Sequence, residues 1–309
     1  MTLRRLTALA ATCGLLLAGC TPTSDDPIRV TGSATVAPIT SHMAMKTRTA
    51  IEQTADGTLD GFGQFCRGGS HINNASVPIP EDMQELCADN GVEFIELPIA
   101  VDALSVVRNS ANGAVLDLTT EELEAIWAPG SEVTTWSDVR PEWPDEEIVL
   151  VGRGAGSGTF DYFSEAVTGE AGSLREDYRT TDDIDELTGW IAEDRNALGF
   201  MGVGNYLAAD ENHRNVMATV SVDGVQPTLA GVQDGSYRAL TRPLFLYVSV
   251  EALEKREDVN AFVEKYVDDV HDELPLVYYY RLPQETYDAV RQRLDERVTG
   301  SDADIGALF

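Results

Sequence analysis

Apolar β-type runs alternate with helical patterns along most of this chain, and that alternation restricts it to an α/β fold with largely parallel sheets. Ile28-Arg29-Val30 reads as a short strand that runs into Thr31-Gly32-Ser33-Ala34-Thr35-Val36-Ala37-Pro38. Small and hydroxyl residues ahead of a helical stretch mark a strand–turn–helix start, and a helix is expected over about Val36 to Gln53. A glycine-bearing turn is expected from Asp56 to Gly63, followed by Ile72-Asn73-Asn74-Ala75-Ser76. Residues 93–108 (EFIELPIAVDALSVVR) are strongly β-type. The segment TTEELEAIW opens with a capping-box pair, Thr119 and Glu122, and continues in a helical apolar pattern. Glu147 to Gly152 reads as a buried strand feeding Arg153–Thr159 and a helix over Phe160 to Val167. Beyond it come a helix (Glu186 to Asp194), a strand (Leu198 to Val203), a strand over 242–250, and long helices from about Asn260 to Val298. There is no internal repeat and no low-complexity block.

The chain has 309 residues, which makes two domains the natural expectation, and its 43% hydrophobic content excludes general disorder. Against 52 acidic residues stand 22 Lys and Arg, for a formal charge of −30. A surface of that sign argues against nucleic acid or an anionic membrane surface as partner, because either requires a basic face.

The first twenty residues read as an export signal. Arg4 and Arg5 form a short basic start, and Leu6 to Leu17 is apolar but too short to span a membrane comfortably. It ends in Leu17-Ala18-Gly19-Cys20, which resembles the lipobox of bacterial lipoproteins and implies cleavage before Cys20 and lipidation of its thiol. An ordinary secretory signal with a chance cysteine is the alternative. Residues 20–27 then read as a flexible tether. On this reading residues 1–19 are a signal peptide and the rest is an extracytoplasmic protein held to the membrane by lipid alone. Removal of the signal takes away Arg4 and Arg5 and leaves 20 basic against 52 acidic residues. Of the four cysteines, Cys13 leaves with the signal and Cys20 takes the lipid, so Cys66 and Cys87 remain. An even pair outside the cytoplasm favours a disulfide closing a loop of about twenty residues, worth about 2–4 kcal/mol. The other use of such a pair, a metal site, lacks nearby ligands apart from His71.

Two segments share one design. Gly32-Ser-Ala-Thr35 and Gly156-Ser-Gly-Thr159 each place hydroxyls and backbone N–H groups at a strand-to-helix turn. The first N–H groups of a helix lack partners and the dipole is positive there, so such turns bind anions. Arg153 lies four residues before Ser157 and adds a bidentate charge. Plain helix capping is the commoner use of Ser and Thr at either turn alone. Two such turns and an adjacent arginine together favour an oxyanion. No Lys follows the Gly run, and the glycines at 152, 154, 156 and 158 lack the G-x-G-x-x-G spacing, so neither nucleotide motif is present. A serine hydrolase using Ser157 needs a histidine base, and His42, His71, His213 and His271 lie in no recognisable motif. No His, Cys and carboxylate cluster has metal-ligand spacing, and no cofactor is implied.

The lipobox, GSATVAP, FCRGGSHINNASVPI, IWAPGSEVTTWSDV, RGAGSGTFDYF, NALGFMGVGNY and TRPLFLYV occur in order. With that set the chain resembles the Pst-type phosphate-binding proteins of bacterial phosphate ABC transporters, over about residues 28–250. The resemblance implies a type II periplasmic-binding-protein fold: two α/β lobes joined by two hinge strands, with the ligand in the cleft. The hinge strands would lie near Ala100–Val107 and Thr241–Val248, lobe one would combine 28–103 with 245–309, and lobe two would be 104–244. The implied partners are inorganic phosphate and the transmembrane subunits of an ABC permease; the chain acts as a monomer and catalyses no reaction.

Carried over by motif, the implied ligand-binding residues are Thr35 and the backbone of Val36, Thr58, and Arg153, Ser157, Gly158 and Thr159. The family has a carboxylate in a Ser-Asp-Ala-like segment, and Asn74 occupies that position here. Phosphate keeps a proton near neutral pH and sulfate does not, so a carboxylate at that place accepts the proton and repels sulfate. Asn74 has no charge with which to do so. Asp60, in a loop where the family has glycines, is the expected compensating carboxylate. Val77 also replaces a basic residue common in the segment. The alternatives are a different, sulfate-like oxyanion, or a phosphate sensor or interaction protein without a transport role.

Overall fold

The computed structural model describes residues 26–155, 157–181 and 183–301. The signal segment, the lipidation site Cys20, the tether up to residue 25, and Gly156 of the second turn lie outside the described residues.

The strands are β1 (Ile28–Gly32), β2 (Ile51–Gln53), β3 (Ile72–Ala75), β4 (Phe94–Asn109), β5 (Asp117–Leu118), β6 (Val149–Gly152), β7 (Arg179–Thr180), β8 (Ala197–Gly202), β9 (Met217–Thr219), β10 (Ser221–Val222) and β11 (Thr241–Ser249). Nine of them form one curled sheet in the order β2-β1-β3-β11-β4-β8-β6-β7, with β9 also on β4. Helices pack on it to give a mixed α/β structure of two lobes. β4 belongs to both halves. Its residues from Phe94 to Ala103 pair with β11, whereas Leu104 to Arg108 pair with β8. The change of partner falls between Ala103 and Leu104.

The sheet is mixed rather than largely parallel. β1, β2 and β3 are parallel, as are β6, β7 and β8. The two long strands run antiparallel to each other and to their outer neighbours, β3 and β8. The sequence also misleads at two further places. The first helix is Ala37–Thr47, not an element reaching Gln53. Arg48 turns left-handed at φ 57°, its N–H returns to the Ala44 and Met45 carbonyls, and Ile51–Gln53 joins β1 as a parallel strand. The glycine-bearing segment at 56–63 is largely a helix, Thr58–Phe65, which buries Phe62 and Phe65. Gly61 lies in it because a side chain there would come within 2.3 Å of the Gly32 Cα.

Phe62, Phe65, Phe94, Phe245 and Tyr247 form a small aromatic core around Cys66 and Cys87. Those two cysteines form a disulfide, with a Cα–Cα distance of 4.2 Å and a sequence separation of 21. It ties the helix Thr58–Phe65 to the helix Glu81–Asp89, and so holds the layer beneath β1 and β3. Cys66→Ala/Cys87→Ala, or full reduction, is expected to lower the unfolding free energy by about 2–4 kcal/mol without loss of the native far-UV spectrum. Urea unfolding with and without reductant measures it, and an unchanged midpoint contradicts it.

Candidate functional site

The first turn begins where β1 ends. Gly32 has φ 107°, and a Cβ there would lie 2.1 Å from the Asn74 carbonyl oxygen, so the close approach of β1 to β3 demands glycine. Ser33 Oγ then accepts the Thr35 N–H at 3.2 Å, and the Ser33 carbonyl accepts the Ala37 N–H at 3.0 Å. These bonds fold the chain directly into the helix Ala37–Thr47, with Val36 as its N-cap. The second turn has the same construction. β6 leads through Arg153 to Ser157, the N-cap of the helix Gly158–Thr168, whose Oγ accepts the Thr159 N–H at 3.3 Å. Tyr178 Oη donates to the Arg153 carbonyl at 2.8 Å.

The turns face each other across the hinge strands. A Cβ on Gly158 would lie 2.3 Å from Thr35 Oγ1. Around this contact is a cavity of about 210 Å3. Ala34 and Thr35 line it from one side, and Arg153, Ser157, Gly158 and Thr159 from the other. Asp102 of β4, Gly202, Gly204 and Asn205 at the end of β8, and the segment Val277–Tyr279 complete the wall. None of the four histidines lines it. Among the described residues no group of three His, Cys, Asp or Glu is placed to hold a metal ion.

Five of the residues expected from the sequence are thus brought together: Thr35, Arg153, Ser157, Gly158 and Thr159. Val36 adjoins them through its backbone, while its side chain is fully buried. Thr58 stands apart beside Ser76, with the two hydroxyls 3.1 Å from each other and the Ser76 N–H donating to Thr58 Oγ1 at 3.2 Å. Asn74 is wholly buried, and its Oδ1 accepts from the Thr40 hydroxyl at 2.9 Å. Asp60 is exposed on the helix Thr58–Phe65. Neither Asn74 nor Asp60 lines the cavity.

Three residues that motif reading missed shape this place. Arg242 of β11 stands directly opposite Asp102 of β4 in the hinge register. Its Nε and Nη2 donate to Asp102 Oδ2 at 3.3 and 3.2 Å. The same Nη2 donates to Thr35 Oγ1 at 2.9 Å and to the Gly158 carbonyl at 3.2 Å. The guanidinium also lies 4.0 Å over the Tyr162 ring. One buried cation therefore touches both turns. It also occupies an acceptor position of the Thr35 hydroxyl, so that group's own proton is left to donate elsewhere. Tyr279 is the third, since its Oη donates to the Thr35 carbonyl at 2.6 Å. A signal for the first two was present. Asp102 is the single charge in the run 97–107, and Arg242 the single charge in 241–250. A lone charge in a buried apolar strand needs a partner.

Burial pushes the Tyr162 phenol well above its ordinary range, against the lowering effect of Arg242. Burial raises Tyr279 likewise, with Asp102 adding to the rise, and it pushes Tyr178 up to about 12. The three phenols are neutral at physiological pH. The site therefore presents hydroxyl donors, two helix starts and the Arg153 cation to a small space, which suits an anion.

The family model described as the PBP superfamily domain matches residues 20–269. Protein SphX of Synechocystis is 35% identical over 99% of this chain and 93% of its own length. The phosphate-binding protein PstS of Staphylococcus saprophyticus is 28% identical, covering 88% of this chain and 85% of its own. A crystal structure titled as a possible phosphate binding protein from Planctomyces limnophilus superposes with a TM-score of 0.80 at 32% identity, over 88% of this chain and 99% of that one. The chain belongs to the PBP superfamily, and relatives of it are named phosphate-binding proteins.

The close approach at Gly32 gives a direct check on how the first turn is built. Gly32→Ala introduces both a backbone clash and a strained φ, and is expected to cost about 3 kcal/mol of stability. Urea unfolding reads this, and a midpoint within error of the parent contradicts it.

Proposed function

We propose that this chain is an extracytoplasmic solute-binding lipoprotein that captures inorganic phosphate between its two lobes and delivers it to an ABC permease. The observation that carries this reading is the convergence of two strand-to-helix turns and Arg153 on one cavity. The names of the PstS relatives support phosphate as the ion. Thr35, the Val36 backbone, Arg153, Ser157, Gly158 and Thr159 are the proposed contacts; Thr58, which stands apart beside Ser76, is a proposed further donor from lobe one. Lobe one is taken as 28–103 with 245–309 and lobe two as 104–244, in keeping with the partner change along β4. Cys20 is the proposed lipid site. Among the described residues no helix is long and apolar enough to cross a membrane.

The mechanism is hinge closure around the anion, followed by docking of the closed form on the permease. The donors hold the ion, and no bond is made or broken. The formal charge of −30 opposes a dianion at long range. Exposed charges farther than about 8 Å are nevertheless largely screened at physiological salt. A hydrogen bond to a charged group is worth about 1.5–3 kcal/mol, and a micromolar site needs only about −8 kcal/mol in all. A few sheltered donors reach that figure even after ordering costs.

A second reading, a binding protein for another oxyanion, is favoured by Asn74, which carries no charge at the place where the resembled family has a carboxylate. Calorimetry on the chain without residues 1–20, unfolded and dialysed beforehand to strip any bound ion, separates the two. Phosphate is expected to bind at micromolar concentration or below, and sulfate not to displace it. Arg153→Ala is expected to weaken phosphate binding about 10- to 100-fold. No heat from phosphate, or equal binding of sulfate, contradicts the proposal. Stopped-flow association with phosphate should quicken as ionic strength rises, because screening relieves the repulsion. A rate that falls with salt contradicts that part.

A further inference from the structure

We infer that Gly204 and Tyr278 form a latch across the cavity wall: their backbones meet so closely that any side chain at 204 wedges the two sides apart and lets the bound anion escape. This rests on the anion-binding reading above and assigns the retention of the ion to a contact made outside the two turns.

The two residues are held by opposite sides of the cavity. Tyr278 goes with the first turn, because Tyr279 donates to the Thr35 carbonyl at 2.6 Å and Tyr280 exchanges backbone bonds with Val101 of β4 at 3.0 Å each. Gly204 goes with the second turn, because it follows β8, which pairs with β6, the strand that leads to Arg153 and Ser157. Both residues line the cavity, and both also line an apolar groove of about 300 Å3 together with Leu207, Ala208 and Pro275. Their contact is therefore part of the wall that cavity and groove share.

That contact is one of backbone on backbone. A Cβ on Gly204 would lie 2.6 Å from the Tyr278 Cβ and closer still to the Tyr278 carbonyl oxygen. Neither atom is the end of a flexible side chain, so neither can swing aside. Tyr278 is held in a left-handed conformation, φ 65° and ψ 33°, with its N–H donating to the carbonyl of the fully buried Leu274. Local preference at 204 points the other way. Gly204 is the second residue of the helix Val203–Ala208 and its φ is not left-handed, so alanine would suit that backbone better than glycine does. The demand for glycine comes from across the cavity. The other close approach, Gly158 to Thr35, is tied by the hydrogen bonds of Arg242, whereas the approach at Gly204 rests on fit. A wedge there depopulates the closed form, and the apparent affinity falls by the fraction lost.

The test compares the stripped chain with its Gly204→Ala variant by calorimetry with phosphate and with sulfate, stopped-flow dissociation, small-angle scattering at saturating ion, and urea unfolding without ion. Whichever ion the parent binds should bind the variant about 10-fold or more weakly, through faster dissociation. The radius of gyration at saturation should stay above the parent's. The urea midpoint should equal or exceed the parent's, since alanine favours the helix. Adding Tyr278→Gly removes one of the two atoms in the way and frees the left-handed turn, so the double variant should regain about threefold in affinity or more. An affinity within about twofold of the parent's in Gly204→Ala overturns the inference. So does a loss of affinity that comes with a lower urea midpoint, which marks a folding defect, and so does a double variant no better than Gly204→Ala. A parent that binds sulfate as well as phosphate overturns the phosphate reading alone, and the latch then stands or falls on the ratio measured with the ion bound. A parent that binds neither ion overturns both.

Discussion

The cross-strand pair of Arg242 and Asp102 ties the architecture to the cavity. Both residues lie on the two long strands, in register, next to the point where β4 changes partner from β11 to β8. Their side chains are 8% and 14% exposed. A buried ion pair is weak evidence for stability, but removing one partner typically costs about 3–5 kcal/mol because the other charge is left stranded. The pair also has outward contacts. Through one nitrogen Arg242 reaches Thr35 on one turn and the Gly158 carbonyl on the other. In this arrangement a residue of the hinge strands bridges the two turns.

The surrounding structure places donors around that pair. β1 and β6 each end in a glycine-containing turn that becomes a helix, so two helix starts point into one space. Tyr279, at the end of a segment crossing from the C-terminal helices, pins the Thr35 carbonyl. Tyr280 of the same segment exchanges two backbone bonds with Val101, next to Asp102, at 3.0 Å each. The acidic surface is a separate matter. It governs solubility and encounter with ions, whereas the cavity is governed by dipoles and charges a few ångströms away.

Much of this was legible in the sequence because the signals were local. The hydroxyl and glycine residues after apolar runs marked both turns. Thr119 and Glu122 announced a capping box that is present, with the Thr119 N–H donating to Glu122 at 2.8 Å and the Glu122 N–H to Thr119 at 3.2 Å. What could not be read depends on residues far apart in the chain. Residues 48–53 carry no local stop that marks the helix end at Thr47, yet Ile51–Gln53 gains more by pairing with β1. The helix Thr58–Phe65 looked like a turn because of its glycines, one of which serves the contact with Gly32. Asp102 and Arg242 are 140 positions apart, and only the register of two antiparallel strands makes them partners. Thr35 and Tyr279 are 244 apart.

The central claim is that the two turns grip a single oxyanion across the hinge. A crystal structure of the chain grown with arsenate, whose anomalous signal distinguishes it from water, tests this most directly. The account predicts one arsenic peak in the cavity, within hydrogen-bond reach of Arg153, Ser157, Thr159 and the Thr35 hydroxyl. A peak elsewhere on the molecule, or a cavity holding only water at saturating arsenate, would contradict it.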